Sequence, residues 1–364
     1  MAEVLLTVSG EIAPDTAERI AKGQRPRADY FELARACGAD LIDYAEARRS
    51  GGVVGRLVER ALGRSALLAW ACFRRRGSYR AIFTDGEQVG VPLALLLKLA
   101  PTGRRPRHLM IAHVLSVKKK LPFFDLLRVQ RQIDRILVYA THQREFALRR
   151  WRLPEQQVVW TPFMVDTRFF APEAVRPQPT AQPQICAVGL EMRDYPTLLR
   201  AVEGLPAQVV IAAASPWSKR SDSTGGQSIP ANVTVRRFSQ HELRQLYADC
   251  RFTVMPLYNV DFQAGVTAIL EAMAMGRAVI CTRTPGQTDV VVEGETGLYV
   301  PPGDPAALRQ AIKRLLADPA LAERMGQAGR RRVEQLMSLD RYAERLGGLV
   351  RETLAEGRPV GVMG

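Results

Sequence analysis

Residues 263–304 read QAGVTAILEAMAMGRAVICTRTPGQTDVVVEGETGLYVPPGD, and this stretch decides how the rest of the chain is interpreted. Gly265 stands in a polar turn, and a run of strong helix formers follows it as far as Met275. A flexible turn that leads into a helix presents unbonded N–H groups and the positive end of the helix dipole, which suits a diphosphate. Gly276 is expected to end the helix, and the next β-branched run returns the chain to a sheet.

Glu271 lies one helical turn beyond Thr267, and the i, i+4 spacing puts both side chains on one face of the predicted helix. A carboxylate at that position can accept hydrogen bonds from the two hydroxyl groups of a ribose. The same pattern also fits an ordinary helix N-terminus in an α/β sheet. The stretch by itself leaves both interpretations open.

Short β-branched runs alternate with longer amphipathic stretches along the whole chain, which is typical of βαβ units with parallel sheets. Strands are predicted in the first half at Val4–Val8, Ala39–Asp43, Ala81–Thr84, His108–Ala112 and Arg135–Tyr139. In the second half they are predicted at Ile185–Val188, Val209–Ala213, Val233–Arg236, Phe252–Met255, Ala278–Cys281 and Gly297–Val300. Helices are predicted between the later strands at Tyr195–Glu203, His241–Asp249 and Thr267–Met275.

A stretch between Phe169 and Pro183 is rich in proline and has no periodicity, which is typical of a linker. The α/β pattern on both sides of it predicts two facing Rossmann-like domains with a cleft between them. The predicted boundaries are 1–172 for the first domain, 173–183 for the linker and 184–340 for the second domain. The last helix, at about 341–364, is expected to pack back on the first domain, and the polar stretch 215–228 is interpreted as a loop without a chemical role.

The chain has 364 residues and a formal net charge of +14, which favours phosphorylated substrates, anionic lipid headgroups or nucleic acid. A solvated, arginine-rich surface is the alternative. Aromatic residues make up only 7% of the chain and no nucleic-acid reader module can be recognised, which argues against nucleic acid. No secretory signal is recognised, and the apolar runs are shorter than the ~20 residues that span a bilayer. A cytoplasmic protein is therefore expected.

The cysteines are scattered, form no CxxC pair and do not cluster with histidines, so neither a zinc site nor a disulfide framework is expected. Two of them, Cys186 and Cys281, lie inside apolar runs and are predicted to be buried. The full set is Cys37, Cys72, Cys186, Cys250 and Cys281.

The stretch 263–304 also resembles the C-terminal hallmark of the retaining GT-B glycosyltransferases of glycosyltransferase family 4, also called glycosyl transferases group 1. The resemblance rests on EAMA at 271–274, GRAVI at 276–280 and EGETGLYVPPGD at 293–304. Similarity extends to MIAHVLSV, VVWTPFMVDTRFFAP and AVGLEMRDYPTLLRAV at 110–117, 158–172 and 187–202.

This resemblance implies a hexosyltransferase-type enzyme that takes a sugar from a nucleotide sugar, with a UDP-sugar favoured and a GDP-sugar as the alternative, and retains the anomeric configuration. Glu271 would hold the ribose, and Arg193, where the family usually has a lysine, would hold the diphosphate. His113 would lie near the transferred sugar. Each of these residues also has a purely structural interpretation. His113 would then be a hydrogen-bonded histidine at a strand end, and Arg193 a solvated cation on a helix face. The resemblance thus implies His113, Arg193 and Gln263 as the catalytic residues, and further donor contacts from Gly189, Gln263, Ala264, Gly265, Val266 and Thr267.

Two positions depart from the family pattern. Gln263 replaces the first glutamate of the paired-glutamate motif, which keeps an acceptor but loses the charge. Leu190 stands where the family usually has an arginine. A catalytically weak, sugar-nucleotide-binding partner subunit therefore stays as an alternative. No DxD-like metal motif stands in a suitable loop, so catalysis without a metal ion is expected, with no cofactor besides the nucleotide sugar as co-substrate.

Asp85 and Glu87 follow a predicted strand and are candidates for contacts with acceptor hydroxyls. The clearest basic clusters are RRRGSYR at 74–80, GRRPRH at 103–108 and KKKLPFFDLLRVQR at 118–131. The last mixes lysines with exposed-looking apolar residues, as a contact with an anionic membrane does, although the apolar residues could instead be core. The resemblance implies a lipid or lipid-linked acceptor and a peripheral position on the inner membrane face, with a small soluble acceptor as the runner-up.

Overall fold

The computed structural model describes residues 2–99, 105–213 and 228–356. Within this part the chain forms two compact units. Unit 1 comprises residues 2–17, 28–161 and 343–356, and unit 2 comprises Glu18–Arg27 and Pro162–Tyr342. Most of the polar stretch 215–228, and residues 103 and 104 of the second basic cluster, lie outside the described residues.

Unit 1 contains a six-stranded parallel sheet with the order β2-β1-β3-β4-β5-β6. The elements through residue 161 are β1 (Val4–Thr7), α1 (Thr16–Ala21), α2 (Asp29–Cys37), β2 (Ala39–Ile42), α3 (Tyr44–Leu62), α4 (Arg64–Arg74), β3 (Ala81–Thr84), α5 (Glu87–Leu99), β4 (Arg107–Ala112), α6 (Leu121–Asp125), β5 (Arg135–Val138), α7 (Thr141–Trp151) and β6 (Val158–Trp160).

Unit 2 contains a second six-stranded parallel sheet with the order β12-β11-β10-β7-β8-β9. The elements from residue 162 onward are β7 (Gln184–Val188), α8 (Tyr195–Val202), β8 (Gln208–Ala212), β9 (Val233–Arg236), α9 (Gln240–Asp249), β10 (Phe252–Met255), α10 (Val266–Ala274), β11 (Ala278–Thr282), β12 (Gly297–Val300), α11 (Pro305–Ala317), α12 (Pro319–Arg332) and α13 (Leu339–Ala355).

The α/β fold class and its parallel strands are confirmed. Strands β1, β3, β10 and β11 are buried at every residue, as expected for central parallel strands covered by helices on both faces. Cys186 and Cys281 are fully buried, as predicted. Strand β6 was missed, because a run of three residues, Val158 to Trp160, is too short to show a pattern.

The two units divide the chain at other places than the expected boundaries. Residues 162–172 and 18–27 both belong to unit 2. Arg27 accounts for this, because its guanidinium bonds to the carboxylates of Asp166 and Asp340, each at 2.8 Å. Val165 is also fixed within unit 2, since its carbonyl accepts the Leu339 N–H at 2.9 Å. The proline-rich stretch 173–183 lies within unit 2 and does not separate the units.

The end of α13 packs in unit 1. Gly347 lies so close to α2 that a Cβ there would be 2.9 Å from the Ala36 carbonyl oxygen. Glu356 accepts hydrogen bonds from Arg107 and Arg135 at the start of β4 and β5. In the described part of the chain no helix is both long and apolar enough to cross a membrane.

His108, in β4, is fully buried, and burial lowers its pKa from 6.5 to about 4. Its Nε2 lies 3.1 Å from the Thr84 hydroxyl. Below pH 6.5 the unfolded chain binds a proton at this residue and the folded chain does not. The free energy of unfolding therefore falls as the pH falls from 6.5 towards 4. At pH 5 the loss amounts to about 2 kcal/mol.

We therefore expect the thermal midpoint to fall between pH 7.5 and pH 5 less steeply in His108→Gln than in the parent protein, because glutamine does not titrate. His142→Gln, at a position for which no such burial is seen, is the matched control. An identical pH slope in His108→Gln and the parent would contradict the assignment.

Candidate functional site

Two loops at one edge of the second sheet bring the predicted donor residues together. The first loop follows β7 and carries Gly189 and Arg193, and the second follows β10 and ends at Gly265, where α10 begins. Strands β7 and β10 are parallel neighbours, so their carboxyl ends open at the same edge. The Tyr258 N–H donates to the Met192 carbonyl at 3.0 Å, which joins the two loops directly.

The Arg193 side chain is buried, with only 6% of the residue exposed. Its Nε donates to the Val188 carbonyl at 2.9 Å, and its Nη1 donates to the Glu191 carbonyl at 2.7 Å. Burial lowers the pKa of the guanidinium, which remains protonated at neutral pH because the ordinary value is so high. Arg193 is therefore not a solvated helix-face cation but a charge held in a fixed plane.

Two glycines give the guanidinium its space. A Cβ on Gly189 would lie 2.2 Å from Nη2 of Arg193, and a Cβ on Gly265 would lie 3.2 Å from Nη1. The second Cβ would also come within 2.8 Å of the Met255 sulfur. Both glycines have positive φ angles, +105° and +76°, which other residues rarely adopt. Contact and backbone conformation together require glycine at both positions.

Helix α10 begins beside this cation and has no side-chain cap at its N-terminus. The first-turn N–H groups have no partner within the helix, and the helix dipole adds positive potential at the same point. Thr267 is exposed in this turn, whereas Ala264 and Val266 are buried. The arginine and the helix start thus converge on Gly265.

Glu271 lies one turn further along α10 and is 7% exposed. Its Oε2 accepts a hydrogen bond from the hydroxyl of fully buried Tyr247 at 2.9 Å. Burial raises the pKa of the Glu271 carboxyl to about 7, although the Tyr247 bond and the Arg193 charge oppose the shift. The pKa of Tyr247 is also raised, by burial and by the neighbouring carboxylate. Glu271 therefore changes its protonation near neutral pH.

Gln263 and Gln287 flank the turn before α10. Gln287 is fully buried, and its Nε2 donates to the Ala264 carbonyl at 2.7 Å. Gly286 packs closely against the same turn, since a Cβ at this position would lie 2.3 Å from the Phe262 carbonyl oxygen. The Oε1 atoms of Gln263 and Gln287 are buried without a hydrogen-bond partner. One of these acceptors lies in the loop before α10 and the other in the loop after β11. Each is available to accept a hydrogen bond from a ligand hydroxyl or a water molecule.

Sequence reasoning missed Tyr247 and Gln287. Each acts on a residue more than twenty positions away, Tyr247 on Glu271 and Gln287 on Ala264. Gln287 stands in the quoted stretch, where the Pro285–Gly286 pair signals a turn but not its contact.

Unit 1 holds the other predicted residues at the carboxyl edge of its own sheet. His113 follows β4 and its side chain is exposed. The main-chain N–H of His113 donates to the Glu87 carboxylate at 2.9 Å. Its Nε2 lies 3.3 Å from the Asp85 carbonyl oxygen. A carbonyl can only accept, so this contact assigns the proton to Nε2 and leaves Nδ1 as an acceptor.

Glu87 is 6% exposed, and both of its oxygens are occupied, one by the His113 N–H and the other by the Lys120 ammonium. Burial by itself would raise its pKa, but the electrostatic interactions with His113 and Lys120, together with the hydrogen bonds that both donate, outweigh burial and leave the pKa below its ordinary value. Glu87 therefore holds His113 and the Lys120 segment in place, rather than presenting a free carboxylate.

Asp85 is partly buried and accepts hydrogen bonds from the Thr7 hydroxyl at 2.6 Å and the Ser9 hydroxyl at 2.8 Å. Burial raises the pKa of this carboxyl, and the bonds from Thr7 and Ser9 oppose the shift. Ser9 was not predicted, since no motif surrounds it. Asp85 is thus fixed at the strand ends, where its main chain orients His113.

Unit 2 therefore offers a buried planar cation, an uncapped helix start and a carboxyl group one turn away. These are the groups that a phosphorylated ligand with neighbouring hydroxyls would engage. Unit 1 offers a histidine whose orientation is set by two fixed neighbours.

Residues 183–318 match the family described as glycosyl transferases group 1. A D-inositol 3-phosphate glycosyltransferase of Streptomyces bingchenggensis is 35% identical over 117 residues, which are 30% of this chain and 25% of the relative. A lipopolysaccharide core biosynthesis mannosyltransferase of Rhizobium leguminosarum is 34% identical over 117 residues, which are 32% of each chain. The matched stretches thus span a third or less of these relatives.

The whole chain is similar in structure to the Anabaena protein HepE, which was solved in complex with UDP and glucose. The TM-score is 0.67 at 13% sequence identity, and the alignment covers 98% of this chain and 100% of the other. At that identity the likeness concerns the fold. Residues 183–318 therefore belong to the glycosyl transferases group 1 family, and the chain that carries them has the GT-B fold.

Proposed function

We propose that the chain is a retaining glycosyltransferase of family 4 that moves a sugar from a nucleotide-diphosphate sugar to a hydroxyl group. The observation that carries the proposal is the buried Arg193 guanidinium beside the uncapped start of α10, with Gly265 between them. This arrangement suits the diphosphate of the donor, and Glu271 suits its ribose. A UDP-sugar is favoured, since the structurally similar HepE was solved with UDP, and a GDP-sugar is the alternative.

In this proposal, catalysis consists mainly of stabilising the leaving group. When the bond between the anomeric carbon and the β-phosphate oxygen breaks, the electron pair stays on the phosphate. Arg193 and the first N–H groups of α10 stabilise the growing negative charge without moving, because both are already fixed. Since this chain supplies that charge compensation itself, we propose that no metal ion is required.

His113 is proposed to hydrogen-bond a hydroxyl of the transferred sugar. The tautomer favoured by the Asp85 carbonyl leaves Nδ1 free to accept such a hydrogen bond. Glu87 fixes the backbone at this position. Asp85 has little spare capacity for an acceptor hydroxyl, because Thr7 and Ser9 already bind its oxygens.

The acceptor is proposed to be a lipid or lipid-linked glycan at the cytosolic membrane face. One relative takes part in lipopolysaccharide core synthesis, which supports this class. In the 118–131 segment, Phe123, Leu126 and Leu127 are exposed beside Lys118 and Lys119. Other apolar members are core, since Phe124 is fully buried and stacks on Trp151. The segment thus combines a buried anchor with an outward apolar and basic edge.

The first test is ligand-induced stabilisation. UDP at a hundred times its dissociation constant should raise the unfolding free energy by about 2.7 kcal/mol, in EDTA as well as in magnesium. Glu271→Ala should lose most of this shift, whereas Glu295→Ala, at an exposed position in the same unit, should keep it. Absence of a shift with UDP, GDP, ADP and dTDP alike would refute donor binding.

A second prediction concerns Arg193→Lys, which keeps the charge but removes the planar fork. We expect the affinity for UDP to fall roughly ten- to a hundredfold, as for the loss of one charged hydrogen bond. Affinity for uridine, which has no diphosphate, should stay unchanged. Equal weakening of both ligands, measured by calorimetry, would show that Arg193 only supports the fold.

The third prediction uses the raised pKa of Glu271. The folded carboxyl titrates near 7 and the unfolded one near 4.5, so the free energy of unfolding is unaffected well below pH 4.5, falls as the pH rises from 4.5 through 7, and stays lowered above that. Glutamine at this position can still accept the Tyr247 bond but cannot ionise. Glu271→Gln should therefore raise stability relative to the parent by about 3 kcal/mol more at pH 8.5 than at pH 4.5. A difference that does not change with pH would contradict the shift.

A further inference from the structure

Helix α3 changes direction at Gly52, whose φ and ψ are 67° and −161°. In the part that follows, residues 53–62, the distribution of apolar side chains is the opposite of the usual one. A surface helix normally turns its apolar side to the core and its charged side to water. Here the large apolar side chains face water.

The inward side of this region contains two buried glycines, Gly51 and Gly55, and Val58 is half-buried. A Cβ on Gly51 would lie 3.0 Å from Cδ1 of Leu67, and a Cβ on Gly55 would lie 3.1 Å from the same atom. Gly55 also faces the Trp70 ring at 3.6 Å. Helix α4 thus packs directly against the two glycines.

The outward side carries the bulk. Val53 is 65% exposed, Val54 50%, Leu57 62% and Leu62 74%. Val53, Leu57 and Ala61 follow each other at i, i+4 spacing, so they form one stripe, and Val54 adjoins it. Such a continuous apolar stripe on the surface is a mark of an interaction site rather than of scattered exposed residues.

Arginines accompany the stripe along one flank. Arg56 and Arg60 are exposed and also stand at i, i+4 spacing, next to the row of Val53 and Leu57. The one acidic residue between positions 52 and 64 is Glu59, and its carboxylate pairs with Arg48 at 2.7 Å. The outward side therefore combines apolar and positive groups, and its acidic residue is paired with Arg48, which also pairs with Glu11 at 2.7 Å.

We propose that residues 53–62 of α3 are a membrane-contact element that binds an anionic bilayer. The apolar stripe enters the boundary between headgroups and acyl chains, and Arg56 and Arg60 pair with lipid phosphates while their stems stay along the apolar surface. An antiparallel contact between two copies of this stripe would place arginines near arginines, which disfavours such a dimer. The inference rests on the proposed lipid-face function but concerns a surface separate from the 118–131 segment.

The test is sedimentation with two kinds of vesicle. One is neutral phosphatidylcholine alone, and the other also contains about 30% phosphatidylglycerol, which gives the negative surface potential that attracts basic segments. Val53→Ser/Leu57→Ser removes the stripe, and Arg56→Gln/Arg60→Gln removes the cations. The matched controls are Ile229→Ser/Leu336→Ser and Lys313→Gln/Arg314→Gln, at exposed positions of unit 2.

We expect the parent to bind the anionic vesicles, and each α3 double variant to bind on the order of tenfold more weakly at low salt, while both controls bind like the parent. All variants should keep the stabilisation by UDP, which separates loss of this surface from failure of the proposed function. Unchanged vesicle binding by both α3 variants would overturn the inference, and so would a parent that does not bind. A dimer in light scattering that the stripe variant dissolves would also overturn it, since a second copy would then be the partner.

Discussion

A single buried cation organises the second unit. Placing a guanidinium in the interior is costly unless polar groups surround it, and for Arg193 the carbonyls of Val188 and Glu191 take that part. Carbonyl dipoles stabilise the charge but do not neutralise it. The buried carboxyl of the site, Glu271, has a pKa of about 7 and is only partly ionised at neutral pH. The site thus keeps a surplus of positive potential that a doubly charged ligand can balance.

Several local features exist because of this cation. Gly189 and Gly265 must lack side chains where they face it, and both adopt backbone conformations that favour glycine. Gln287 fixes the Ala264 carbonyl, so the turn before α10 cannot move away from the guanidinium without breaking a buried hydrogen bond. Rigidity of this kind lets the site act electrostatically without reorganisation when a ligand binds.

The sequence allowed prediction of those parts of the fold that depend on local pattern. The strands followed from β-branched runs, whereas the placement of Arg193 and Gly265 at one donor site was implied by the family resemblance. Tyr247 and Gln287 could not be found in this way, because their partners are remote in sequence. The assignment of residues 18–27 to unit 2 could not be foreseen either, since Arg27 reaches Asp166 across 139 positions. Glu87 was a candidate for contacts with acceptor hydroxyls, but it is buried and both of its oxygens are bound within the protein.

The charge of +14 is distributed differently from what composition suggests. A number of arginines are bound to main-chain carbonyls: the half-buried Arg330, for example, donates to the carbonyls of Phe170 and Ala274. The positive groups that remain at the surface therefore matter more by their position than by their number. On α3 the arginines lie beside an apolar stripe, so positive and apolar groups share one side of the helix, which the net charge alone does not show.

The contact of Arg27 with Asp166 and Asp340 also limits how this protein can exchange its parts. Asp166 is 5% exposed, so a polypeptide starting at residue 162 would retain a buried carboxylate without its cation. Removing one partner of a buried ion pair costs about 3–5 kcal/mol, a large fraction of the stability of an average domain. Recombination of halves between related proteins at residue 161 would therefore weaken the second unit, unless residues 18–27 were inherited with it.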